Sequence, residues 1–147
     1  IGDLGKAVEV LEKFRLNSEN SIIALYELAG LYRKLGNEAK AKEYESLLME
    51  VDPQKDPNGI EIWAKVHLKK GNYEKVINTV ESIISTNSEA KHLSLILAVA
   101  YAKTGKMDMA RQVIDELKED NFWYLYGKKE FFDELLTQSE KEKCGIV

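Results

Sequence analysis

Cysteine is almost absent from this 147-residue chain. Cys144 stands alone, so no internal disulfide can form and nothing demands an oxidising compartment. Proline is nearly as scarce, with only Pro53 and Pro57, and the nine glycines occur singly. A long chain with so few breakers reads as mostly helical. No apolar run approaches the length of a membrane span, so direct membrane insertion is not expected. Positive charge is not in excess: the formal net charge is −4. Nucleic-acid binding depends on a dense positive field, so no nucleic-acid partner is expected either. Histidine is limited to His67 and His92, without a metal-ligand spacing. Isolated glycines build no phosphate-cradling loop, and no serine or cysteine lies in a nucleophile motif. The chain is therefore read as a non-enzyme with no cofactor and no metal. Its carboxylates, Glu43, Glu45 and Glu50 among them, read as ordinary salt-bridged helix surface. No secretory signal is visible, and a cytoplasmic setting is expected. The chain opens at Ile1 inside a repeat, which points to a processed product or an excised fragment from which a targeting segment would be missing.

What the sequence does contain is a period. Gly2, Gly36, Gly71 and Gly105 are separated by 34, 35 and 34 residues. After each comes a turn-tolerant or polar residue (Asp3, Asn37, Asn72, Lys106), and then, at a fixed distance, Ala7, Ala41, Val76 or Ala110. Phased punctuation of this kind means one supersecondary unit used several times. Within the second unit, Leu25, Leu28, Ala29 and Tyr32 fall on one helical face. Gly36 stops that helix, because glycine takes the left-handed conformation cheaply. Ala41, Tyr44, Leu48 and Val51 form a second helical face, closed by Asp52-Pro53. The third unit supplies Ile60, Trp63, Ala64 and His67, then Val76, Val80 and Ile83. The fourth supplies Leu97, Ala98 and Tyr101, then Ala110, Ile114 and Leu117. Of the first unit only the second half is present, with Ala7, Leu11 and Phe14.

These residues resemble the tetratricopeptide repeat, a 34-residue helix–turn–helix with the skeleton W-x₂-L-G-x₂-Y…A-x₃-F…P. The skeleton reads here as Leu25-x₂-Leu28-Ala29-x₂-Tyr32…Ala41-x₃-Glu45…Pro53. It returns as Ile60-x₂-Trp63-Ala64-x₂-His67…Val76-x₃-Val80 and as Ser94-x₂-Leu97-Ala98-x₂-Tyr101…Ala110-x₃-Ile114. Glu45 departs from the aromatic slot, His67 from the tyrosine slot, and the third and fourth units lack the closing proline. The related pentatricopeptide repeat, which reads RNA, is disfavoured by the acidic balance and by alanine at the small-residue position. The resemblance implies an all-α, right-handed superhelical solenoid with a C-terminal capping helix. The expected divisions are a half repeat over 2–18, full repeats over 22–55, 57–88 and 91–120, an aromatic-rich cap over 121–140 and a disordered tail over 141–147.

Both ends depart from the period. Phe122, Trp123, Tyr124, Tyr126, Phe131 and Phe132 cluster before Leu135 and Leu136, with Gly127 expected to separate two short helices. A solenoid needs such an atypical terminal element to keep its last apolar face dry. The first helix lacks its partner, so Val8, Leu11 and Phe14 are expected to be partly exposed. Such an edge invites either self-association or further repeats upstream. Cys144-Gly145-Ile146-Val147 has the outline of a prenylation box, a match that needs only a cysteine four from the end.

The resemblance also implies that the first helix of each unit lines a concave groove. The stripe beside the core stripe would carry Tyr26, Arg33 and Lys34 in the second unit, Glu61, Lys65 and Lys69 in the third, and His92, Leu95, Val99 and Lys103 in the fourth. Lys34, Lys69 and Lys103 recur with the period and would form a basic edge suited to an acidic peptide or helix. Lysine near a helix C-terminus also satisfies the helix dipole, which accounts for the row without any ligand. Leu95, Val99 and Ala102 are too apolar for open surface, so a ligand or the C-terminal segment should cover them. Some relatives hold a terminal carboxylate on this stripe. The equivalent positions here are Tyr26, Gly30, Ile62, His92 and Ile96, which make no such clamp. The leading reading is a protein-interaction module or scaffold. The alternatives are a self-assembling structural repeat protein and a regulatory fragment of a larger enzyme.

Overall fold

The computed structural model describes residues 2–17 and 21–146, with the side chains of 16–17 and 120–127 left outside that description. Among the described residues it is all-α, with nine α-helices and no strand. The chain divides into two compact units, 1–66 and 67–147, and the boundary falls inside one helix.

The first unit begins with α1 (Gly2–Asn17), followed by the hairpin α2 (Ile22–Lys34) and α3 (Glu38–Glu50). α2 starts where Ser21 Oγ accepts from the Ala24 amide at 3.2 Å. A second orphan donor, the Ile22 amide, is met from 34 residues downstream by Asp56 Oδ2 at 2.8 Å. Ile22, Leu25 and Leu28 are fully buried, and each such side chain contributes about 1.5–3 kcal/mol. α2 packs against α1 on one side and α3 on the other. α3 ends at Val51, which is extended, and Asp52-Pro53 starts a short 3-10 turn. A second 3-10 turn, Pro57–Gly59, passes so close to α2 that a Cβ on Gly59 would lie 2.5 Å from Ile22 Cβ. It leads into α4 (Ile60–Lys69), which crosses the unit boundary with Ile60, Trp63 and Ala64 buried.

The second unit continues with α5 (Tyr73–Thr86), a 3-10 stretch Ser88–Leu93, α6 (Ser94–Lys103) and α7 (Met107–Gly127). Every residue from Leu95 to Ala102 is buried, so α6 has no solvent face along its middle. A helix that is apolar all round must be enclosed. α5, the 3-10 stretch, α7 and a C-terminal helix all pack on it.

The turns are one device repeated. At Gly36, Gly71 and Gly105 the backbone takes φ near +80°. The amide after each glycine reaches back to Tyr32, His67 and Tyr101 respectively, and each glycine amide reaches the carbonyl three residues earlier. This is the Schellman closure of a helix C-terminus. A fourth copy, which the period does not announce, closes the C-terminal helix at Gly145: Ile146 N donates to Lys141 O at 3.0 Å.

The C-terminus differs from the sequence-based expectation in two ways. A helix does end at Gly127, as expected, but it is the long α7 and not a short one, and the helix after it is itself split into α8 (Lys129–Leu135) and α9 (Gln138–Cys144). The tail expected to lack order is helical to Cys144. Thr137 and Glu140 form a reciprocal capping box at its start, and Cys144 is fully buried beside Met107 Sδ at 3.7 Å. Burial pushes the Cys144 thiol up. A cysteine enclosed in this way does not present itself for lipidation. The aromatic side chains of Phe122, Trp123, Tyr124 and Tyr126 lie outside the described residues, whereas Phe132 is buried and meets Phe131 edge-on.

Candidate interaction surface

In the first unit the stripe beside the core of α2 is open. Ile23 and Tyr26, three residues apart, are 42% and 37% exposed, and Gly30 continues the same face. Arg33 at the end of α2 is held by two carboxylates of α3, Glu38 and Glu45, at 3.2 Å each. Lys34 beside it is exposed. On α4, Glu61 and Lys65 are half-buried. The surface is therefore an apolar patch ending in cations, with Arg33 oriented by its own repeat.

The second unit is different. Leu95 and Val99 are 0% exposed, so neither offers open surface. His92 is exposed, with Nδ1 3.1 Å from the Glu89 carbonyl oxygen. Lys69 pairs with Glu134 at 3.5 Å, and Lys103 pairs with Glu140 at 2.9 Å. Two of the three periodic lysines are thus engaged by carboxylates of the C-terminal segment. Burial would raise the Glu140 carboxyl. The hydrogen bonds from Lys103 and Thr137 outweigh it and hold the group below the usual range. The pairings of Glu134 and Glu140 with these lysines carry no signal in the sequence, because contacts across 65 or 37 residues have no local signature.

His67 is buried, with Nδ1 3.1 Å from the Asn72 side-chain nitrogen. Among the described residues no group of histidine, cysteine and carboxylates could hold a metal ion. A shallow depression at the start of α5 is lined by Gly71, Asn72, Tyr73, Glu74, Lys75 and Thr104. Among the described residues no helix is long and apolar enough to cross a membrane.

Short buried-face helices, glycine-closed turns and an exposed stripe on the first helix of a hairpin define a helical-repeat protein. Comparison with known families agrees for one hairpin. The family model described as the tetratricopeptide repeat matches residues 22–55, which is the α2–α3 hairpin. That hairpin is similar to the tetratricopeptide repeat, and repeats of that family are in general non-enzymatic modules for protein–protein interaction. Among curated proteins, none matches the chain.

Proposed function

We propose that the chain holds a peptide segment of a partner protein on the stripe beside the core of its first-helix elements, with α2 supplying the open part. The observation that carries this reading is the exposure of Ile23 and Tyr26 at i, i+3 on a helix whose opposite face is fully buried. Two large apolar side chains there are stabilised by burial against another surface. Lys34, exposed at the end of α2, favours a segment with a carboxylate near one end. The partner is accordingly an acidic peptide or amphipathic helix. The test uses partner proteins recovered on the immobilised chain. Ile23→Asp with Tyr26→Asp should lower affinity at least tenfold, while Met109→Asp, at an exposed apolar position on α7, leaves it unchanged. Equal effects of the two changes, or none, would remove α2 from the binding surface.

A second reading has its own observation. Val10 and Phe14 on α1 are 66% and 51% exposed, one helical turn apart. Their counterparts in the repeat register of α3, Tyr44 and Leu48, are buried. An apolar face of this kind supports self-association through α1. Sedimentation that shifts with concentration, and loses the shift on Phe14→Glu, would favour this reading over a monomeric module.

A further inference from the structure

In the segment from Lys129 to Ile146, α9 packs on α6, and the segment meets two of the three periodic lysines with carboxylates. We propose that this segment is the chain's own ligand, and that an acidic amphipathic helix from a partner competes with it for the same surface. The inference rests on the reading of first-helix surfaces as peptide-binding, here applied to the second unit.

Three observations support it. First, α6 is apolar on every side and needs a cover, and α9 packs on both α6 and α7. Phe132, Leu135 and Leu136 of the same segment are also buried, with α8 packed on α7. Second, the fastening is charge complementarity on a repeating pattern. Glu134 takes Lys69, and Glu140 takes Lys103, 34 residues further along. At the far end, Arg111 donates to the Lys143 carbonyl at 2.7 and 3.1 Å, and Lys118 donates to the Gly145 carbonyl. Third, the segment has little standing of its own. α8 and α9 have seven residues each, well below the length at which an isolated helix is stable in water. Their helicity depends on docking. The outer ion pair is half exposed on both sides, and such pairs are weak. A partner helix with apolar residues followed by carboxylates offers α6 the same contacts.

Cys144 makes the exchange measurable, because it is the only cysteine and is fully buried in the docked segment. The rate of Cys144 modification by a soluble thiol reagent would be followed on the full chain. A synthetic peptide of residues 129–146 carrying Cys144→Ser would then be added. Competition predicts a saturable rise in rate of at least tenfold, with the helical circular dichroism of the chain retained. The same peptide with Glu134→Lys and Glu140→Lys should leave the rate unchanged. A rate that does not respond to the native peptide would mean a permanent cap. A rate that rises only with loss of helix would mean unfolding. Either result overturns the proposal. Tyr26→Asp in the chain should leave the response intact, so failure of the α2 surface and failure of this exchange are read separately.

Discussion

Tyr101 donates its hydroxyl to the carboxylate of Glu81, as Tyr32 does to Glu12, and in both pairs the acceptor stands 20 residues earlier. The tyrosine belongs to the first helix of one repeat and the glutamate to the second helix of the repeat before, so the bond ties neighbours together. Glu12 is doubly used. Tyr44 also donates to it, and the Tyr32 and Tyr44 rings stack with centroids 5.6 Å apart. A hydrogen bond to a charged group is worth about 1.5–3 kcal/mol. Tyr101→Phe should therefore lower stability by about 2 kcal/mol, and Glu12→Ala by about 3 kcal/mol because two hydroxyls lose their acceptor. Urea denaturation checks both, and a loss of a few tenths would show the ties to be incidental.

The same bonds set an alkaline limit. Burial first, and then Glu81, pushes the Tyr101 hydroxyl up to about 12 from its ordinary 10.0. Tyr32 and Tyr44 are raised by burial and by Glu12. A folded state that keeps the proton longer than the unfolded chain gains stability that is whole below pH 10 and is lost as pH rises towards 12. Melting temperature should fall across that window, and Tyr101→Phe should flatten the fall.

Two glycines should respond in opposite senses to alanine. Gly30 lies within α2 with nothing near a prospective Cβ. Gly30→Ala should stabilise the protein by about 0.5–1 kcal/mol. Gly59 faces Ile22 Cβ at 2.5 Å, and Gly59→Ala must push the turn off α2 at a cost of about 1–3 kcal/mol. Thermal melts of the two variants give the signs directly.

Leu95 separates covered surface from open surface. It is fully buried, so Leu95→Ala should cost about 2–5 kcal/mol. Tyr26→Ala, on the exposed stripe, should change stability by less than about 1 kcal/mol. Equal and small effects would mean that α6 is not enclosed.

The architecture was legible because its signals are local. Glycine at 34- and 35-residue spacing marks each turn, and the three-and-four spacing of Leu25, Leu28, Ala29 and Tyr32 marks a buried face; Tyr32 itself is half-buried. The fourth turn was not legible. Gly145 follows Gly105 by 40 residues, and α9 between them has only Cys144 as an apolar anchor. The exposure of the stripe was not legible. Tyr26 and Leu95 both read as candidate surface, and what distinguishes them is that α6 is packed on by several other elements. Residue type placed Lys69 and Lys103 on a common row. Only the structure pairs them with Glu134 and Glu140. As a consequence, reversing these two lysines would disturb the C-terminal segment as well as any ligand, so the charge of Lys34 gives the cleaner test of steering.

The most direct measurement of the central claim is site-specific photocrosslinking in native extract. A benzophenone side chain would replace Tyr26 on α2 or Met109 on α7, both exposed. If the first-helix stripe is where other polypeptides dock, position 26 captures a discrete partner and position 109 does not. Capture from position 109 alone, or equally from both, would contradict the account.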